Sequence, residues 1–200
     1  MIGIFGGTFD PPHLGHRILA VEALEIFNLE KVLWVLTASP PHKPKRAGAS
    51  LQARIDLVTM AIAEEEGFEF SRADIDRPAP HYALGTVRWL KERHVDEAFL
   101  YLLGEDSLRD LPSWYESETF LDEIDILAVV PRPGVDTDLD LLEQRMPGLA
   151  EKIRFIHAPM VQISSSDIRR RIREGRPYHH LLLPEIAEQI KKNKLYLADL

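Results

Sequence analysis

Six short runs of apolar, β-prone residues recur along this chain, most of them continuous rather than alternating with polar residues: Met1–Phe5, Lys31–Thr37, Phe68–Ser71, Ala98–Gly104, Ile124–Val130 and Ile153–His157. Successive side chains of a strand point to opposite faces, so an unbroken apolar run belongs to a strand covered on both sides. Segments of helical periodicity separate the runs. Leu51–Glu65 sets Leu51, Ile55, Val58 and Ile62 within about 60° of one another at 100° per residue. Leu14–Phe27 likewise places Leu14, Ile18 and Val21 on one face. Tyr82–His94, Ser165–Glu174 and Pro184–Asn193 complete the predicted helices, the last opening on a proline suited to a first turn. Alternating β and α segments predict an α/β fold, a mainly parallel sheet with helices on both faces.

Composition removes other classes. The 200 residues fit one domain spanning 1–200. Its C-terminal segment of about 40 residues is expected to be largely helical. With 24 Lys and Arg against 32 Asp and Glu, the net charge of −8 disfavours non-specific nucleic-acid binding, which draws its affinity from phosphate neutralisation. The absence of cysteine excludes disulfides, thiolate metal sites and cysteine nucleophiles. No apolar run approaches the roughly 20 residues of a membrane span. The opening MIGIFGGTFD lacks a basic stretch and reaches glycine by position 6, unlike a signal peptide. The expectation is a cytoplasmic protein with neither a membrane nor a nucleic-acid partner; a homo-oligomer is compatible with the sequence. There is no internal repeat and no low-complexity tract.

Ligands of open α/β sheets bind beyond the carboxyl ends of the strands. After the first predicted strand comes Gly6-Gly7-Thr8-Phe9-Asp10-Pro11-Pro12-His13-Leu14-Gly15-His16, running into a helix. Gly6 and Gly7 are expected to form a turn that brings a ligand close to the backbone. The helix start offers N–H groups and partial positive charge to phosphate. His13 and His16, three apart, are neighbours that can each donate to a phosphate oxygen. Zinc binding by the two histidines finds no support, because neither an H-E-x-x-H pattern nor a third ligand is nearby, and no metal site is predicted. Neither a P-loop nor a G-x-G-x-x-G motif occurs. Toward the other end, Ile163-Ser164-Ser165-Ser166-Asp167-Ile168-Arg169 opens the helix after the last strand. Serines cap helices and supply hydroxyl donors, Ile168 and Ile172 share a core-facing side, and Arg169 lies within one turn of the helix start. Two longer loops, Ala38–Ala49 (basic and proline-rich) and Pro131–Asp140, carry further polar groups.

Together, G-T-F-D-P-x-H-x-G-H and I-S-S-[ST]-x-I-R resemble the signatures of the HxGH nucleotidyltransferases, the shorter H-x-G-H being shared with class I aminoacyl-tRNA synthetases. Pro40-Pro41-His42-Lys43 and Gly104-Glu105-Asp106-Ser107-Leu108-Arg109-Asp110-Leu111-Pro112-Ser113-Trp114 narrow the resemblance to bacterial nicotinate-nucleotide adenylyltransferases over nearly the whole chain. Ser50, Arg54 and Met60 also fit that family's helix after the basic loop.

The resemblance implies a Rossmann-like, doubly wound sheet and transfer of AMP from ATP to nicotinate mononucleotide, with Mg²⁺ held mainly by the ATP phosphates. It implies catalytic roles for His13, His16, Lys43 and Arg169. ATP would be bound by Gly6, Gly7, Thr8, Phe9, His16, Gly104, Asp106, Ser164, Ser165, Ser166 and Arg169. The acceptor would be bound by Thr8, Lys43, Tyr82, Ala83, Trp114 and Arg132, with Asp106 on the ATP ribose and Trp114 on the pyridine ring. One stretch departs from the family: Pro80-His81-Tyr82-Ala83-Leu84-Gly85-Thr86 has Ala83 where the family has the threonine that helps bind the pyridine carboxylate. Backbone amides at Tyr82 and Ala83, and His81, could take its place. Nicotinamide mononucleotide or phosphopantetheine as acceptor, and a non-catalytic nucleotide sensor, are the alternatives. His94, His157, His179 and His180 have no motif context and are expected to be structural or exposed.

Overall fold

A computed structural model describes residues 1–38, 48–131, 137–159 and 161–197. Six parallel strands form one sheet: β1 (Ile2–Gly7), β2 (Lys31–Leu36), β3 (Phe68–Ser71), β4 (Phe99–Gly104), β5 (Ile126–Val130) and β6 (Ile153–Phe155). Their order is β3-β2-β1-β4-β5-β6. The chain therefore winds outward from β1 through β2 to β3, then returns to lay β4 against the other side of β1. Adjacent carboxyl ends of β1 and β4 mark the switch point, where a crevice opens between connections that leave in opposite directions.

The continuous apolar runs are explained by two cores. Val32, Trp34 and Leu36 of β2, with Phe5, Leu100 and Leu102, face one layer. Leu33 and Val35, with Ile2, Ile4, Phe99, Tyr101 and Leu103, face the other. The first layer consists of α1 (Leu14–Ile26), α2 (Leu51–Ile62), α9 (Ser165–Arg173) and α10 (Pro184–Lys192). Opposite lie α3 (Ala73–Asp76), α4 (Ala83–Lys91), α5 (Glu105–Asp110), α6 (Ser117–Glu123), α7 (Leu139–Arg145) and α8 (Leu149–Lys152). None of α3, α5, α6, α7 and α8 was expected from periodicity. Each has seven residues or fewer, about two turns at most, too short for a 3.6-residue repeat to show.

Two details depart from the sequence expectation. The buried residues of α1 are Ala20 and Ala23, with Leu19, Leu24 and Phe27 packed beside them; Leu14, Ile18 and Val21 are only half-buried. Small alanines let the helix axis approach the sheet, which turns its buried stripe away from the longer aliphatic side chains. In addition, Gly6 and Gly7 do not form a turn. They continue β1, opposite Val35 and Leu36, and Thr37 N–H donates to the Gly7 carbonyl at 2.9 Å. Among the described residues, no helix is long and apolar enough to cross a membrane.

Candidate active site

The phosphate-binding residues predicted at the two ends of the chain meet above β1. His13 is the N-cap of α1, with extended backbone (φ −144°, ψ 170°), and His16 is the third residue of the helix. Their imidazoles cap the helix reciprocally: His16 N–H donates to His13 Nδ1 at 3.3 Å, and His13 N–H to His16 Nδ1 at 3.1 Å. This is a capping box built from two histidines where Ser/Thr and Glu/Gln are usual. Because both Nδ1 atoms accept, the hydrogen-bond pattern assigns the ring N–H of each neutral imidazole to Nε2. The rings stack with centroids 3.6 Å apart and 20° between planes. The spacing of three thus sets helix start, tautomer and ring orientation together.

Phe9 explains why His16 stays put. Its side chain is 2% exposed and lies edge-on to His16 at 5.2 Å, against Phe5 and Trp34. Placed among the ATP contacts on sequence, Phe9 can reach a ligand only through its backbone, since its ring belongs to the core. Gly7 is needed for that packing, because a Cβ there would stand 2.9 Å from the Phe9 ring.

At the other end of the chain, Ser164 caps α9 by accepting from Asp167 N–H, and Ile168 and Ile172 are buried as expected. Ser165 Oγ donates to the Pro11 carbonyl at 2.9 Å, 154 residues away in sequence. Arg169 donates to the Asp10 carbonyl at 2.5 Å and to Ser166 Oγ at 3.2 Å. Ser165 and Arg169 thereby tie the start of α9 to the Asp10–Pro11 segment that leads into α1. Such a donor set suits a chain of phosphate oxygens.

Beyond β4, Gly104 is the exposed N-cap of α5 and Asp106 lies in its first turn. Trp114 follows a short 3₁₀ turn and rests half-buried against Phe120, at 5.5 Å between ring centroids. Tyr82 is the N-cap of α4, Ala83 its first residue, and among the described residues no side chain caps the helix. The Tyr82 ring stacks on Tyr115 at 4.4 Å and 12°.

The cytidylyltransferase-like family model matches residues 4–171. Across 98% of this chain, a "probable nicotinate-nucleotide adenylyltransferase" of Synechococcus sp. (strain JA-3-3Ab) is 39% identical, with 94% of the relative covered. A protein of the same printed name from Gloeobacter violaceus is 40% identical, with 98% and 95% covered. The chain belongs to the nicotinate-nucleotide adenylyltransferase family. Its fold matches the Plasmodium falciparum nicotinic acid mononucleotide adenylyltransferase complexed with NaAD, with a TM-score of 0.80 at 21% identity. That match covers 98% of this chain and 96% of the other.

Within this family frame, the described residues hold most of the predicted positions; Lys43 and Arg132, like the rest of the P-P-H-K motif, lie outside them. Four residues that sequence reasoning left without a role support the site. Arg54 is 8% exposed and donates to the carbonyls of Thr8, Thr37 and Ala38 at 2.9–3.2 Å. Burial draws its guanidinium below the ordinary arginine range, opposed by the nearby Asp10 and Tyr196. Arg77 gathers the start of α4, donating to Asp74 and Thr86 Oγ1 at 3.0 Å and to the carbonyls of Pro80 and Tyr82. Asp74 is 3% exposed and also receives the Thr86 hydroxyl at 2.6 Å. Tyr115 completes the aromatic stack. Only Arg54 left a trace in sequence, through its fit to the family helix; the others act through individual polar or ring contacts that follow no helical or strand period.

Thr86→Val is expected to leave one donor missing from a buried carboxylate, at a cost of about 1–3 kcal/mol. Urea unfolding should show a lowered midpoint with an unchanged slope. An unshifted midpoint would show that Arg77 alone satisfies Asp74.

Proposed function

We propose that this protein transfers the adenylyl group of ATP to nicotinate mononucleotide, releasing pyrophosphate and forming nicotinate adenine dinucleotide. The observation that carries this reading is the pair of contacts Ser165–Pro11 and Arg169–Asp10, which bring both phosphate motifs to one place. The named relatives support the choice of acceptor.

The acceptor phosphate is already ionised near neutral pH, so no base is required. One of its oxygens attacks the α-phosphorus of ATP, the new P–O bond forms, and the bond to the bridging α,β-oxygen breaks. That electron pair leaves with pyrophosphate. Catalysis then consists of bringing two anions together and stabilising charge on the leaving group. His13 and His16 donate to the phosphates through Nε2–H. Ser164, Ser165, Ser166 and Arg169 hold the triphosphate from the opposite side. Gly104 and Asp106 receive the ribose. Gly6, Gly7, Thr8 and Phe9 line the approach with backbone, and Lys43 and Arg132 supply further positive charge. The donors gathered around Asp10–Pro11 suit phosphate and not a cation, which fits Mg²⁺ carried by the nucleotide. When bound there, Mg²⁺ supplies charge neutralisation on the phosphate oxygens.

Trp114 offers a ring for the pyridine. The uncapped first turn of α4 offers backbone amides to its carboxylate, so that Ala83 serves without a hydroxyl. Cytoplasmic localisation goes with this reading. Pyrophosphate release measured with ATP and nicotinate mononucleotide, nicotinamide mononucleotide or phosphopantetheine tests it. The acid mononucleotide is expected to give the highest kcat/KM. Equal use of the amide would mean that α4 does not select the carboxylate, and no release with any acceptor would contradict the assignment.

A further inference from the structure

Tyr196, close to the C-terminus, reaches back to the first phosphate motif. Beyond α10 the backbone enters the left-handed region at Lys194 (φ 51°) and again at Tyr196 (φ 64°). An aromatic residue rarely adopts that conformation and keeps it only when its surroundings impose it. Here the ring is 8% exposed in the same core as Phe9 and Trp34. Its hydroxyl donates to Asp10 Oδ1 at 2.8 Å. Burial and the neighbouring carboxylate push the phenol well above its usual range, so it remains a donor.

The carboxylate so held is delicately placed. Oδ1 also accepts the Ala49 N–H at 3.0 Å. Oδ2 lies against Gly48, where a Cβ would stand only 2.2 Å away, so any side chain there would push the carboxylate aside. The same Oδ2 is 4.0 Å from Arg169 Nη1, which donates instead to the Asp10 carbonyl. This is an ion pair at the long limit, and a small rotation of the carboxylate would shorten it to a direct hydrogen-bonded pair. Arginine–carboxylate pairs are strong, and such a pair would compete with phosphate for the guanidinium.

We propose that Tyr196 is a positioning residue of the triphosphate site: by holding the Asp10 carboxylate on the Ala49 amide, it keeps Asp10 from capturing Arg169 and leaves that guanidinium to ATP. The inference rests on the assignment of Arg169 to the triphosphate. Tyr196 touches no reacting atom and acts through Asp10.

The test is a double-mutant cycle of Tyr196→Phe and Asp10→Asn, read by calorimetric ATP binding and by KM and kcat. Tyr196→Phe keeps the ring and removes one donor. It should weaken ATP binding and raise KM for ATP about ten-fold, with kcat changed by less than about three-fold. Adding Asp10→Asn removes the competing charge and should return ATP affinity to that of Asp10→Asn alone. ATP affinity of Tyr196→Phe within about two-fold of the parent, or losses that simply add in the double variant, would overturn the proposal. If Tyr196→Phe does not fold, Asp10→Asn alone decides: with the competing charge gone, ATP affinity within about two-fold of the parent or tighter is expected, and a loss of about ten-fold or more would overturn the proposal. Failure of the functional reading is separable: it would appear as absent turnover in the unaltered protein, while the coupling in ATP binding is still measured.

Discussion

His16→Ala is expected to lower kcat by at least about 10²–10³, the usual cost of removing one donor aimed at charge that develops in a transition state. Alanine also deletes half of the α1 capping box, so the variant must be separated from a simple loss of stability. The structure supplies the control. Glutamine at the third helical position can accept the His13 N–H in the ordinary capping-box manner, because a side-chain carbonyl replaces Nδ1. His16→Gln should therefore recover the melting temperature that His16→Ala loses, yet stay catalytically poor, since no Nε2–H is presented to the phosphates. Near-normal turnover in either folded variant would remove His16 from the chemistry.

Arg169→Ala is the second large effect. The guanidinium is 16% exposed and bridges the Asp10 carbonyl and Ser166, and on the proposed function it also supplies charge to the triphosphate. Its loss should cut kcat/KM by about 10²–10³. Arg169→Lys should recover little, because an ammonium is a point charge that cannot reproduce the planar fork. A steady-state comparison of the three proteins decides it. If lysine restored full kcat/KM, charge alone would be at work and the geometry around Asp10 would be irrelevant.

The parts of this molecule that sequence makes legible are those set by repeated burial. The inner strands β1, β2, β4 and β5 could be placed because side chains on both faces pack into a core, as at Leu33–Val35 and Val32–Trp34–Leu36, whereas the edge strands β3 and β6 bury apolar residues on one face only and expose Glu69 and Arg154. The phosphate helices could be placed because Ile168 and Ile172 mark a buried side beneath a serine cap. Gly6 and Gly7 misled, since the same residues suit a turn or a strand crossed by neighbouring rings, and only the position of Phe9 distinguishes them. The roles of His13 and His16 as each other's caps were hidden because histidine is an uncommon cap. Asp10, Arg77 and Tyr196 act through individual polar contacts spanning 3 to 186 residues, which leave no period to read. The family resemblance supplied the acceptor, for which the residues alone offered only a half-buried tryptophan and an uncapped helix.

On the proposed function, both ends of the chain hold one triphosphate. A crystal structure with a non-hydrolysable ATP analogue measures this directly. Hydrogen-bond contact is expected from the His13 and His16 Nε2 atoms, from a serine hydroxyl among 164–166 and from Arg169, all to the same triphosphate, with the ribose beside Asp106. A triphosphate bound by only one of the two motifs, or seated away from the carboxyl ends of β1 and β4, would contradict it.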